Sequence, residues 1–380
     1  MNTDTTSHYL LPSGLRDLLP PEARHQTYIL NTLLARFERS GYAQVMPPLA
    51  EYEQTLLAGK GTALETRTFR MMDPLSGHML AIRSDMTTQV SRIAESRLGH
   101  ETLPLRLSYA GNVLRTGADG LTSERQLTQA GLELIGCDAP AAEAEIIGVV
   151  LEALDILGFT GLVVDLSAAG LLDALLAEET APFDRDTIIH ALRHKDASAL
   201  PDALACREVL VALLQAAGSA DNVRKAMDTL YIPSAARLMI EQLFAVMHCL
   251  TPRAGVTLTL DPLDQSGFDY HQGVCFSLFH TDSRQEIGRG GRYSLTLEGA
   301  SCGATGATLY IGRLLSSYQP ESTPVRTFIP YGTPLEATRK LRDEGIVTIF
   351  SLAPEAEATA EAKRLGCTHI YTEGVLKALS

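Results

Sequence analysis

Apolar residues recur along this chain with two periods, and the changes of period divide it into elements. The first 13 residues read as a loose arm. Behind Pro20–Pro21, the residues Tyr28, Leu30, Leu33, Leu34 and Phe37 recur at three- and four-residue steps; this predicts a helix to about Ser40, stopped by Gly41. Tyr42 to Leu49 reads as a short strand ended by Pro47–Pro48, followed by a helix near Tyr52–Leu57 and a loop rich in Gly and Thr. Phe69–Met72 and His78–Ile82 read as strands joined by the turn Asp73-Pro74-Leu75-Ser76-Gly77. Leu105–Val113 and Gln126–Leu134 are further strands, and Pro140 to Leu157 is a helix.

After a short β run at Val163–Leu166, the chain from about Gly170 to Leu250 turns rich in Ala and Leu with helical spacing. Strands return around Leu258–Leu260 and Val274–Phe279, then come Gly288-Arg289-Gly290-Gly291-Arg292-Tyr293 and an apolar run ending at Arg313. Gln319–Pro324 is a linker by composition. Beyond it, strand 325–331, helix 334–344, strand 346–352, helix 355–365 and strand 368–371 form one βαβαβ unit, which implies a small parallel sheet. The predicted class is α+β, with a core in two parts, 1–169 and 256–318. A helical insertion occupies 170–255 and a small α/β domain 325–380.

Composition narrows the functional classes. A chain of 380 residues, 45% hydrophobic, suffices for two or three domains. The net charge of -13 argues against nucleic acid as the main partner, because phosphate contacts require Lys and Arg. The six cysteines form no C-x-x-C pair and none stands beside a His at ligand spacing, so no metal is implied and buried or half-buried thiols in a reducing compartment are expected. No apolar run approaches the ~20 residues of a membrane span, and the polar N-terminus lacks a signal core, so the expected location is cytoplasmic.

Several segments, spread in order over about residues 10–315, resemble the class II aminoacyl-tRNA synthetases, and histidyl-tRNA synthetase in particular. Leu11-Pro12-Ser13-Gly14-Leu15-Arg16-Asp17 is similar to that family's opening segment, and Pro47-Pro48-Leu49-Ala50-Glu51 to its dimer-building motif 1. Ile82-Arg83-Ser84-Asp85-Met86-Thr87 resembles the segment that holds the amino group of histidine. Tyr109 to Arg115, Glu124-Arg125-Gln126 and Gln129-Ala130-Gly131-Leu132-Glu133 resemble motif 2. Ser266-Gly267-Phe268-Asp269-Tyr270-His271 and Gly290-Gly291-Arg292-Tyr293 resemble the two histidine-specific motifs, and Gly306 to Leu314 resembles motif 3 with Arg313 as its arginine. The implied fold is the antiparallel synthetase sheet with flanking helices.

The resemblance implies a histidine pocket. Asp85, Thr87 and Gln129 supply acceptors for the ammonium, Glu133 and Tyr293 face the imidazole with Tyr270 and His271 beside them, and Arg115 suits the carboxylate. Arg125 and Arg313 are further candidate anion contacts. The departures from the family fall among the groups that handle ATP. Its catalytic arginine falls at Ser266, its motif 2 glutamate at Thr116-Gly117, and its motif 3 acid at Gly312. Loss of one such group typically costs ~10²–10³ in rate, so adenylation is expected to be lost.

The C-terminal segment carries seven Lys+Arg against eight Asp+Glu, a net of -1, and about 60 residues, which suits a scaffold better than an anticodon grip. The pattern resembles the regulatory branch of the family, the synthetase-like regulatory subunits of ATP phosphoribosyltransferase. That resemblance implies a chain without catalysis, cofactor or metal. It also implies a short-form catalytic subunit as partner, activation of that partner, feedback inhibition by histidine in histidine biosynthesis, and self-dimerisation within a hetero-oligomer. The alternatives are an active histidyl-tRNA synthetase, a tRNA-sensing module, or repurposed chemistry on the same scaffold.

Overall fold

In a computed structural model the described residues are 10–57, 65–117, 124–180, 182–264, 271–283, 285–320, 324–372 and 374–379. They fall into two compact units, Met1–Tyr318 and Gln319–Ser380. The first helix, α1 (Glu22–Arg39), turns Ile29, Leu33 and Phe37 inward at four-residue steps, and Gly41 ends it with a φ of 89° that a side chain would resist.

The next strands are short where proline removes N–H donors: β1 is Ala43–Gln44 only, and Pro47–Pro48 separates it from β2 (Ala50–Tyr52). The helix expected near Tyr52 is a single turn, α2 (Glu53–Leu56). Strands β3 (Arg70–Met72) and β4 (Met79–Ile82) join β2 in a small antiparallel sheet, their turn pinned by Asp73, which accepts from Ser76 Oγ at 2.6 Å. Helix α3 (Thr87–Arg97) is not marked by the sequence pattern. Its buried positions include Thr87, Thr88, Gln89 and Ser91, so its inner face is polar.

An eight-stranded sheet follows from β5 (Leu105–Leu114), β6 (Gln126–Ile135), β7 (Leu162–Ala169), β8 (Val256–Leu260), β9 (Gly273–His280), β10 (Gln285–Leu297) and β11 (Ala300–Tyr310). Its order is β1-β5-β6-β11-β10-β9-β7-β8, antiparallel except at the outer pairs β1–β5 and β7–β8. The expected isolated segment at Gly288–Tyr293 and the apolar run after it are one long hairpin. Glu298 and Gly299 close it with φ of 48° and 82°, the double positive φ of a tight two-residue turn.

One sheet face packs Ala130, Leu132, Leu134, Phe276 and Leu309 against α1 and α4 (Pro140–Ile156). The helical segment comprises α5 (Leu171–Leu176), α6 (Arg185–Arg193), α7 (Arg207–Ala216), α8 (Ala220–Thr229) and α9 (Ser234–Cys249). Its Leu210, Leu213 and Ile240 belong to the same buried cluster as Val164 and Leu166 of the sheet. The opposite face is covered by α3 through a second cluster of Met86, Val90, Leu107, Tyr109 and Tyr293. Helix α10 (Ile311–Ser317) closes this unit.

The C-terminal unit holds β12 (Arg326–Ile329), α11 (Arg339–Asp343), β13 (Val347–Phe350), α12 (Ala358–Arg364) and β14 (His369–Thr372). The order β13-β12-β14 is parallel, and β15 (Val375–Ala378), unforeseen from the pattern, turns back antiparallel on β14. Its core is small: Phe328, Ala362, Cys367 and Ile370. Among the cysteines, Cys249 corrects the expectation of burial. It is exposed at the end of α9, and all six are free thiols.

Candidate functional site

A small cavity opens on the sheet face covered by α3, lined by Asp85, Thr87, Glu133, His271, Arg289, Tyr293, Thr308 and Tyr310 among others. Its floor follows from strand register. Tyr109, Gly131, Thr308 and Arg289 stand opposite one another across β5, β6, β11 and β10. The adjacent row is Leu107, Glu133, Gly306 and Gly291, and the row beyond it carries Ile135, Ala304 and Tyr293. Direct partners and residues two apart share a face, so these side chains converge.

Glycines hollow this floor. A Cβ at Gly306 would lie 1.7 Å from Glu133 Oε2, one at Gly131 2.4 Å from the Tyr109 hydroxyl, and one at Gly291 2.8 Å from His271 Cδ2. Each missing Cβ leaves room for a polar side chain to lie flat across the sheet. A Cβ at Gly290, on the other face, would lie 2.2 Å from the Gly306 carbonyl oxygen and 2.4 Å from Phe276 Cζ.

One end of the cavity is built of acceptors. Asp85 Oδ1 accepts from the Thr87 backbone N–H at 2.9 Å and its Oδ2 from Gln129 Nε2 at 3.2 Å, while Gln129 Oε1 accepts from the Met86 N–H at 3.2 Å. Gln129 is wholly buried, so these bonds fix both groups.

The other end centres on Glu133, fully buried, which accepts from the Tyr293 hydroxyl at 3.0 Å and lies 3.4 Å from that of Tyr109. The Tyr109 oxygen also stands 2.8 Å from Thr308 Oγ1 and 3.1 Å from Thr87 Oγ1. Burial pushes the Glu133 carboxyl up to about 8, hydrogen bonds from Tyr293, Thr87 and Tyr109 working against it and the charge of Asp85 adding to it. This raised value favours the protonated carboxyl near neutral pH. Burial, with a smaller push from Arg289, lowers His271 to about 3, so its ring is neutral. Burial likewise raises the hydroxyls of Tyr109 and Tyr310.

The structure thus brings together Asp85, Thr87, Gln129, Glu133, His271 and Tyr293. Tyr270 and Ser266 lie outside the described residues. The three arginines fall elsewhere. Arg115, buried, donates from Nε to the Ser84 carbonyl at 3.1 Å and does not line the cavity, although its charge reaches Tyr310. Arg125 bonds the carbonyls of Arg115 and Ser13 and lies over the Phe69 ring. Arg313 stands over the Tyr310 ring and donates to Glu286. Among the described lining residues the cation is Arg289, which sequence reasoning missed. The alternation along β10 was the available signal, since Arg289 and Tyr293 are four residues apart and so on one face. Arg292 points the other way and clamps Glu143 of α4 at 2.6 and 2.8 Å.

On the rim, Thr116 donates its hydroxyl to the Thr66 carbonyl. Glu124 pairs with Arg16 at 3.2 Å, and a Cβ at Gly312 would come within 3.3 Å of Glu124 Oε2. A carboxylate at position 312 would therefore meet one already there.

Comparison with known proteins matches residues 14–314 to the family described as histidyl-tRNA synthetase. The ATP phosphoribosyltransferase regulatory subunit of Paramagnetospirillum magneticum is 42% identical, the match covering 97% of each chain. That of Gluconobacter oxydans is 39% identical over 99% of each. A Bacillus halodurans structure titled as an ATP phosphoribosyltransferase regulatory subunit/histidyl-tRNA synthetase superposes with a TM-score of 0.78 at 23% identity, covering 93% of this chain and 96% of that one.

Proposed function

The chain belongs to the histidyl-tRNA synthetase family and, within it, to the ATP phosphoribosyltransferase regulatory subunits, and from that premise we propose that it binds histidine and relays it as feedback inhibition to a short-form catalytic subunit that it also activates. The carrying observation is that one cavity holds two distinct sets of polar groups. Asp85 with Gln129 suits an ammonium, and Glu133 with Tyr293 suits an imidazole. Thr87 and His271 complete the contacts, and the neutral His271 ring adds no charge against a cationic ligand.

Regulation follows if the two global states of the complex hold histidine with different affinity. Exposed Met46, Leu49, Tyr52, Met71 and Met72, around the segment that resembles motif 1, support a second copy of the chain as a further partner. Among the described residues no helix is long and apolar enough to cross a membrane. The reading as an active synthetase fares worse, because Ser266, Thr116-Gly117 and Gly312 stand where the resemblance puts that family's ATP-handling groups.

The test is to purify the chain with a short catalytic subunit and assay phosphoribosyl transfer with and without it, and with histidine. Stimulation by the chain, and inhibition by histidine that weakens in Asp85→Ala or Glu133→Ala while assembly persists, are the expected results. Absence of stimulation would overturn the proposal, and inhibition unchanged by both substitutions would move histidine to another site.

A further inference from the structure

We infer that Arg289, held on Glu286, is the group that receives the carboxylate of an amino acid bound in this cavity and so selects for amino acids over amines. The inference rests on the proposed histidine site and adds a residue to it. Arg289 donates from Nε to Glu286 Oε1 at 2.9 Å and from Nη2 to Oε2 at 2.6 Å. This two-point grip fixes the plane of the guanidinium. Glu286 is fixed in turn by Ser277 Oγ at 3.3 Å and by Arg313 Nη1 at 3.1 Å. Four donors thus hold one carboxylate, and through it the orientation of Arg289.

The register then sets where that guanidinium stands. Arg289 pairs with Thr308 on one side and Ser277 on the other, one two-residue step along the sheet from the Gly291–Gly306 row that carries Glu133. That step is ~7 Å, and Asp85 borders the same cavity. A ligand with its imidazole at Glu133 and its ammonium at Asp85 has its third polar group left over, and Arg289 is the cation of the described lining. Arg115, the choice from sequence, is instead turned to the Ser84 carbonyl.

A purely structural ion pair makes a different prediction, which separates the two roles. Calorimetric titration of the full chain would compare L-histidine with histamine, which lacks the carboxylate. Wild type should bind histidine at least ~10–100-fold more tightly, the range of a charge-assisted hydrogen bond. Arg289→Gln should bring histidine down to the level of histamine while histamine affinity stays the same, and Arg289→Lys should recover part of the preference. The inference is overturned if Arg289→Gln keeps the preference, if both ligands weaken together, or if Arg115→Gln removes the preference instead. Wild type binding neither ligand would overturn the histidine site itself, a result distinct from any behaviour of the variants.

Discussion

The cavity around Glu133 and the rim around Thr116, Glu124 and Gly312 lie on the same synthetase-type scaffold, yet they are organised differently. In the cavity, buried groups are hydrogen-bonded in series, and glycines at 131, 291 and 306 make room for them. On the rim, the polar side chains are spent on neighbours: Thr116 on Thr66, Glu124 on Arg16. On the proposed reading, the first region serves binding and the second no longer serves chemistry. Buried polar networks are costly when incomplete, so these bonds hold the cavity lining in one arrangement.

Substitutions that fill the floor should separate the two regions most strongly. Gly306→Ala drives a Cβ into the Glu133 carboxylate, and overpacking of this kind costs ~1–3 kcal/mol or more. Loss of histidine affinity by ~100-fold or more in calorimetry, with a lower melting temperature, is expected; near-wild-type affinity would mean that Glu133 does not face the ligand. Next in size, Asp85→Asn should weaken histidine by about 10–100-fold while leaving the circular dichroism spectrum intact.

A titration sharpens the contrast further. Glu133 is raised from an ordinary carboxylate value to about 8 in the folded chain. The folded state therefore holds its proton more tightly than the unfolded state. Its stabilising contribution is complete below about 4.5 and is lost as pH rises through about 8. Asp165, raised to about 6 by burial, acts with the same sign at lower pH. Melting of the ligand-free chain from pH 6 to 9 should fall more steeply in wild type than in Glu133→Gln, and parallel curves would contradict the assignment.

The smallest effect belongs to the rim. Gly312→Glu should leave histidine affinity within about twofold and yield no histidine-dependent ATP–pyrophosphate exchange, because Ser266 and Thr116-Gly117 still stand in place of the other ATP-handling groups. Recovery of exchange would show that the rim still handles ATP.

Much of this was legible in the chain. Helix α1 and its stop at Gly41, strands β5 and β6, helix α4 and the parallel C-terminal order follow from periodicity and from Gly and Pro. Helix α3 was not legible, because Thr87, Thr88, Gln89 and Ser91 are buried by polar contacts that no hydropathy period records. Strand β7 outran the run Val163–Leu166 because Ser167, Ala168 and Ala169 are carried by pairing to β9. Thr259 Oγ1 also donates to Asp165 at 2.5 Å.

By itself, the sequence determined which residue types recur in which order, and hence the family and a set of polar groups complementary to one amino acid. Local periodicity and turn chemistry act between near neighbours, so they can be read one segment at a time. Only the tertiary structure decided which of those groups share a cavity, that Arg289 rather than Arg115 borders it, and that burial raises the Glu133 carboxyl. Those outcomes depend on strand register and on burial away from water, which arise between residues far apart in the chain.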